Sequence, residues 1–182
     1  MLKIAITGHT SGVGKHLFEK AGYKGYSSST GFDLTTSDAI ERMITDASDV
    51  DVFVNNAENG ENIKLKVMKH VWDKWRWEDK ILINMGSYKT MQAELMPGIK
   101  ESEGYKQTIE QQDFWNQIAP LESKLAVGIV ELGPIGTQRT FDKGIKTYTS
   151  IDDVCKTILD MADILTRNQR MVTQILCKGL YK

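Results

Sequence analysis

Residues 7–14 read TGHTSGVG, and the spacing of Gly8, Gly12 and Gly14 within that octet decides how the rest of the chain is read. Before it runs LKIAIT (2–7), a short apolar segment; after it comes KHLFEKAG (15–22), which has helical spacing and a closing Gly22. Strand, glycine-rich turn and helix in that order suit a phosphate site. Gly8 is placed to make the tight turn and Gly12 to let the backbone approach a pyrophosphate. Gly14 permits close packing of helix on strand, and the first helical amides stay free for the anion.

Outward from that unit the same alternation continues. GYKGYSSS (22–29) reads as a second strand, and TTSDAIERMITDAS (35–48) as a helix with Ile40, Met43, Ile44 and Ala47 at helical spacing behind a Thr or Ser cap. DVDVFVNNA (49–57) is a β-branched and aromatic run ending at a polar turn. Then come KVMKHVWDKW (66–75) as helix, KILINMGS (80–87) as strand, YKQTIEQQDFWNQIA (105–119) as helix and LAVGIVELGP (125–134) as strand. IDDVCKTILDMADILTR (151–167) is an amphipathic helix and MVTQILCKG (171–179) a final apolar strand. Strands alternating with helices of this size imply a parallel sheet covered on both faces, with ligands held beyond the carboxyl ends of the strands.

The totals fit one domain, residues 1–182, with a single core. A net charge of −1 and a pI near 6.3 give no general attraction to nucleic acid or to anionic membranes. Cys155 and Cys177 lack metal-ligand spacing and read as reduced, buried thiols, and His9, His16 and His70 are scattered. No apolar run approaches a membrane span and no signal segment is visible, so the expectation is a cytoplasmic protein that binds neither nucleic acid nor membrane.

TGxxxGxG, the pair Asp33–Leu34, NNA at 55–57, the serine ending LINMGS and the later LGPIGT (132–137) occur in the order found in the short-chain dehydrogenase/reductase family, which the chain resembles over most of its length. The resemblance implies a Rossmann-type doubly wound α/β sheet of about six strands. It also implies an NADP or NAD cofactor, a small-molecule carbonyl or alcohol substrate, and a homo-oligomer. Carried over by position, Gly8, Ser11, Gly12, Val13 and Gly14 would line the diphosphate and adenosine ribose. Asp33 and Leu34 would meet the adenine, Asn55 and Ala57 would border the adenosine, and Pro134, Ile135 and Thr137 would face the nicotinamide carboxamide. Glu58 stands where the family carries a glycine. Each match also has a plainer reading: Asp33 as a turn residue before Thr35–Ser37, Asn55–Asn56 as a strand-end turn, LGPIGT as a proline turn, and Thr137 as a helix cap.

The chain departs from the family in two places. SSSTGFDL runs from the second strand almost directly to Asp33–Leu34, so the sheet is expected to be shortened around strand three and more open on the adenine side. No acid ends strand two to bind free ribose hydroxyls; Ser27, Ser28 and Ser29 offer hydroxyls instead, which favours NADP or tolerance of both cofactors, with His9 and Lys15 as candidate phosphate partners. No asparagine matches the family's proton relay. Trp72 and Trp75 share a helix face suited to core packing or an oligomer contact.

Family catalysis uses a tyrosine as general acid, a lysine four residues on that lowers its pKa and holds the ribose, and a serine that steadies the substrate oxygen. Ser87 matches the serine. Tyr-x-x-x-Lys is absent: with Tyr105 as the acid, the lysine position holds Ile109. Counting back from LGPIGT without gaps puts Lys106 on the lysine position and Ser102 on the tyrosine position, leaving Tyr105 or Tyr88 as the nearest phenol. The candidate catalytic set is therefore Ser87, Tyr105 and Lys106, with Lys106 also on the cofactor, in an NAD(P)(H)-dependent oxidoreductase. The alternative is a catalytically weakened dinucleotide-binding protein that senses redox state or assembles with a partner; a nucleotide-sugar epimerase or dehydratase ranks last.

Overall fold

Alternate residues of the first strand face opposite ways and settle into different cores: Ile4 and Ile6 on one side of the sheet, Ala5 on the other. The computed structural model describes residues 2–58, 61–87, 89, 97–137, 142, 149–167 and 172–177. In chain order its strands and longer helices are β1 (Ile4–Thr7), α1 (Gly12–Ala21), β2 (Gly22–Tyr26), α2 (Ser37–Asp46), β3 (Val52–Asn55), α3 (Ile63–Trp75), β4 (Ile81–Ser87), α4 (Glu103–Ile118), β5 (Ala126–Leu132), α5 (Ile151–Arg167) and β6 (Val172–Cys177). Every strand pair is parallel and the order across the sheet is β2-β1-β3-β4-β5-β6.

Two apolar layers cover this sheet. Val52, Val54, Ile81, Ile83 and Met85 face α1 and α5, where Leu17, Ile158 and Met161 are buried. Phe53 and Leu82 face α2, α3 and α4 with Met43, Met68, Trp72, Trp75 and Trp115. Each large side chain so buried contributes about 1.5–3 kcal/mol. Trp72 and Trp75 are thus core residues, and Trp75 meets Phe53 edge-on with ring centroids 5.7 Å apart.

The doubly wound α/β fold of six strands stands as expected, and so does its shortening. β2 is an edge strand, and after Tyr26 the chain passes through a short turn at Ser28–Thr30 directly to α2, whose cap Thr36 accepts from the Ala39 amide at 3.3 Å. One element begins earlier than its periodicity suggested. α3 starts at Ile63 because Asn62 takes a left-handed conformation (φ 48°) at its N-terminus. Lys64, outside the expected helix, is therefore in its first turn.

Polar side chains close the β2 edge, as unpaired strands require. Lys24 donates to Asp49 at 2.9 Å and to the Asp46 carbonyl, and the Tyr23 hydroxyl donates to Asp49 at 3.1 Å. The Lys24 ammonium, helped by Tyr23 and Lys3, holds the Asp49 carboxyl down at about 2, below its ordinary 3.8. Because the folded value is the lower one, this contribution is complete above pH 3.8 and is lost as pH falls through about 2. Asp49→Asn should therefore lower the thermal midpoint at neutral pH, and melting curves taken downward from pH 4 should show the gap from the parent closing by pH 2.

Candidate functional site

The chain runs from β1 outward to β2, then returns past β1 to β3 and continues outward the other way, so a crevice opens between the carboxyl ends of β1 and β3. The glycine turn enters it from one side and the NNA turn from the other. Gly8 (φ 70°) and Gly12 (φ 52°) adopt left-handed backbone that disfavours side chains. At Gly8 a Cβ would lie 3.1 Å from both the Ala57 Cα and Asn56 Nδ2; at Gly14 it would overlap the Gly8 carbonyl and lie 2.6 Å from Asn56 Nδ2. Thr7, fully buried, fastens the two turns together. Its Oγ1 accepts from the Asn56 and Ala57 amides at 2.9 Å each, and its carbonyl accepts from Asn56 Nδ2 at 3.0 Å. The backbone close to the crevice is thus fixed, with the first-turn amides of α1 at its mouth.

A cleft of about 620 Å³ extends from this turn along the strand ends, within the range of about 300–1,000 Å³ usual for ligand sites. Gly8, Ser11, Gly12 and Val13 line it, as do Ser27, Asp33, Leu34, Ala57, Ser87, Ile135 and Thr137. Gly14 lies behind the lining as the helix-to-strand contact, and Pro134 flanks it, its carbonyl accepting from the Thr149 amide at 2.8 Å. Asn55 is buried beneath the floor, donating to the Lys64 carbonyl at 2.8 Å and to Asn84 Oδ1 at 2.7 Å. Asp33 carries both of its readings at once: it lines the cleft, and its Oδ1 accepts from the Thr35 hydroxyl at 2.8 Å and the Thr35 amide at 3.1 Å, bonds that hold its carboxyl below the usual range. His9 is turned elsewhere, packed on Phe18 and against Gly25, while Lys15 pairs with Glu19 at 3.8 Å.

Tyr105 and Lys106 require a correction: neither is among the residues lining the cleft. α4 begins at Glu103 behind its cap Ser102, and the face it turns to the cleft is Gly104, Gln107, Thr108 and Gln111. At about 100° per residue, Lys106 falls on the opposite side of that helix, where it is exposed, and Tyr105 falls on the flank. The positions one turn apart that do face the cleft, Gly104 and Thr108, carry neither phenol nor ammonium. No tyrosine lines the cleft among the described residues. Tyr88 lies outside them, as does most of Gln138–Thr149, the stretch expected to enclose substrate.

Polar groups that the sequence reading missed occupy this half of the cleft. Asn84 donates to Gln111 at 3.3 Å and Gln111 to Asn62 at 2.8 Å, so a chain of side-chain amides runs from Asn55 across to α4. Lys64 is 8% exposed and lies 3.4 Å from Glu58, while Lys89 reaches over Gly104, where a Cβ would overlap its Nζ. The one sequence signal was Asn84, a polar residue inside the apolar run KILINMGS; Asn62, Lys64 and Lys89 stood outside the expected strands and helices and gave none.

Burial lowers the Lys64 ammonium from its ordinary range, Glu58 opposes that shift and Lys89 adds to it. The unfolded chain therefore holds this proton to higher pH than the folded one, so the site destabilises the fold at neutral pH and the deficit closes as pH rises toward 10.5. Lys64→Met should raise stability at pH 7, with a smaller gain at pH 10, in paired thermal melts. A cation kept at such a cost points to a use in the cleft.

No protein-family model matches the sequence, and no curated protein does either. Solved structures with the same fold are numerous. A short-chain dehydrogenase/reductase from Vibrio parahaemolyticus superposes with a TM-score of 0.72 at 14% identity, over 98% of this chain and 98% of that one. L-Sorbose reductase from Gluconobacter frateurii, solved with NADPH and L-sorbose, gives 0.72 at 15% identity over 97% and 95%. A short-chain dehydrogenase from Burkholderia cenocepacia in complex with NADP gives 0.66 at 15% identity over 98% and 96%.

Proposed function

We propose that the chain is an NAD(P)(H)-dependent oxidoreductase that reduces a small carbonyl or oxidises the matching alcohol, taking as its premise the fold it shares with short-chain dehydrogenases/reductases. The observation that carries this reading is the glycine turn at the switch between β1 and β3, opening onto a cleft that also holds Ser87, Ile135 and Thr137. Gly8, Ser11, Gly12 and Val13 would take the diphosphate, with Gly14 letting the helix amides come close. Asp33 and Leu34 would border the adenine, Ser27 the adenosine ribose, and Ile135 and Thr137 the carboxamide. NADP is favoured slightly over NAD because Ser27 and Ser28 line that end. When bound, the dihydronicotinamide supplies a hydride to a carbonyl carbon.

Ser87 ends β4 at the cleft and would donate its hydroxyl to the substrate oxygen. Homo-oligomerisation belongs to this reading on the family resemblance alone. Loss of dihydronicotinamide absorbance across a panel of small carbonyls tests it. Parent protein should turn over at least one of them, and Ser87→Ala should lower kcat by about 10²-fold with cofactor affinity kept. A second reading, a dinucleotide-binding protein without turnover, is favoured by the lack of a lining tyrosine among the described residues. Tight cofactor binding with no consumption of any carbonyl would select it.

A further inference from the structure

We infer that the Ser87 end of the cleft recognises a carboxylate through Lys64 and Lys89, so that the substrate is a small oxo acid; the carbonyl half of that statement rests on the oxidoreductase reading. Among the described residues, the charged side chains lining the cleft are Asp33, Glu58, Lys64 and Lys89. They are not evenly spread. Asp33 belongs to the segment after β2 and is tied to Thr35, whereas both ammonium groups stand by the ends of β3 and β4 with Glu58. Glu58 has 56% of its side chain exposed, so it balances the pair only partly, while the Lys64 side chain is 10% exposed. A buried ammonium with partial compensation is costly, and an anion entering from solvent relieves it.

Lys89 supplies the second contact. Its ammonium occupies the space that the missing side chain of Gly104 leaves free, on the α4 face that also presents Thr108 and Gln107 to the cleft. Lys89 stands near enough to Lys64 to disfavour the Lys64 charge, and one anion placed between the two ammonium groups relieves that. The diphosphate of a dinucleotide has its own place at the Gly8–Gly14 turn and the first turn of α1, on the β1 side of the cleft. What remains beside Ser87, in a cleft of about 620 Å³ shared with a dinucleotide, suits a small acid better than a large one.

Ligand-observed NMR with pyruvate and its neutral methyl ester tests this, on the protein alone and on the protein saturated with NADP⁺. Pyruvate should bind about tenfold more tightly than the ester. Lys89→Met, a change at a partly exposed site, should abolish the preference, and Lys89→Arg should keep it. Equal binding of acid and ester, binding of neither, or unchanged pyruvate affinity in Lys89→Met overturns the inference. A drop in NADPH affinity in Lys89→Met without loss of pyruvate binding also overturns it, by assigning the lysine to the cofactor's phosphates. If the parent prefers pyruvate but binds no NADPH, the carboxylate site stands and the oxidoreductase reading fails.

Discussion

Gly14→Ala should cost about 3 kcal/mol of stability and remove dinucleotide binding from whatever fraction still folds. The new methyl group would overlap the Gly8 carbonyl and sit 2.6 Å from Asn56 Nδ2. Neither neighbour can yield cheaply. Gly8 is held by its amide, which donates to the Tyr26 carbonyl at 2.7 Å, and Asn56 is held by Thr7. Relief therefore means lifting the first turn of α1 off the strand, which moves the amides that face the cleft. Chemical denaturation reads the first effect and cofactor titration the second; a fully stable Gly14→Ala protein would show that the turn yields to a side chain at this close approach. Gly31 makes a matched control, since nothing lies within 4 Å of a Cβ there and the change costs only its left-handed backbone preference.

Thr7→Val is expected to be nearly as damaging although the side chains have almost the same shape. Thr7 is fully buried and its Oγ1 is the acceptor for two amides, those of Asn56 and Ala57. Leaving two such donors unpaired costs about 2–4 kcal/mol. Thr7→Ser keeps the oxygen, loses one methyl and should cost about 1 kcal/mol, so the ratio of the two losses separates the hydrogen bonds from the packing. Because these bonds join the glycine turn to the NNA turn, Thr7→Val should also weaken dinucleotide binding more than its stability loss alone explains.

The contrast between Gly14 and Thr7 also marks how much of the molecule could be read from the sequence. The glycine turn was legible because its constraints are local: a left-handed residue after a strand and a close approach at the helix start leave glycines at fixed offsets. Five of the six strands were legible from β-branched runs, and the deletion after Ser29 from the sheer shortness of the segment before Asp33. Thr7 gave no sign of its role, since its partners lie 49 and 50 residues away and a buried hydroxyl acceptor leaves no local pattern.

The α4 residues failed for a different reason. The helix was recognised, but its rotation was not, because a register counted from LGPIGT assumes an unchanged length between strand and helix. In the fold that rotation is fixed by the burial of Trp115 and Ile118 against the sheet and by the Ser102 cap at 3.3 Å from the Tyr105 amide. Once those are placed, Gly104, Thr108 and Gln111 face the cleft and Lys106 faces solvent. Lys64 was hidden by a boundary: a lysine two residues before an expected helix reads as surface, whereas in the first turn of α3 it lies under the cleft.

Calorimetric titration of NADPH and NADH into the full chain, beside Gly12→Val, is the most direct measurement. Gly12 has a left-handed backbone, and a Cβ there meets only the Thr137 methyl, at an ordinary contact distance of 3.8 Å, so the valine enters the cleft at a folding cost of about 1–2 kcal/mol and leaves the rest of the structure in place. The parent should bind one dinucleotide per chain, saturably, and the variant should fold and bind neither. A folded parent protein that gives no saturable binding with either cofactor would contradict the assignment of the cleft.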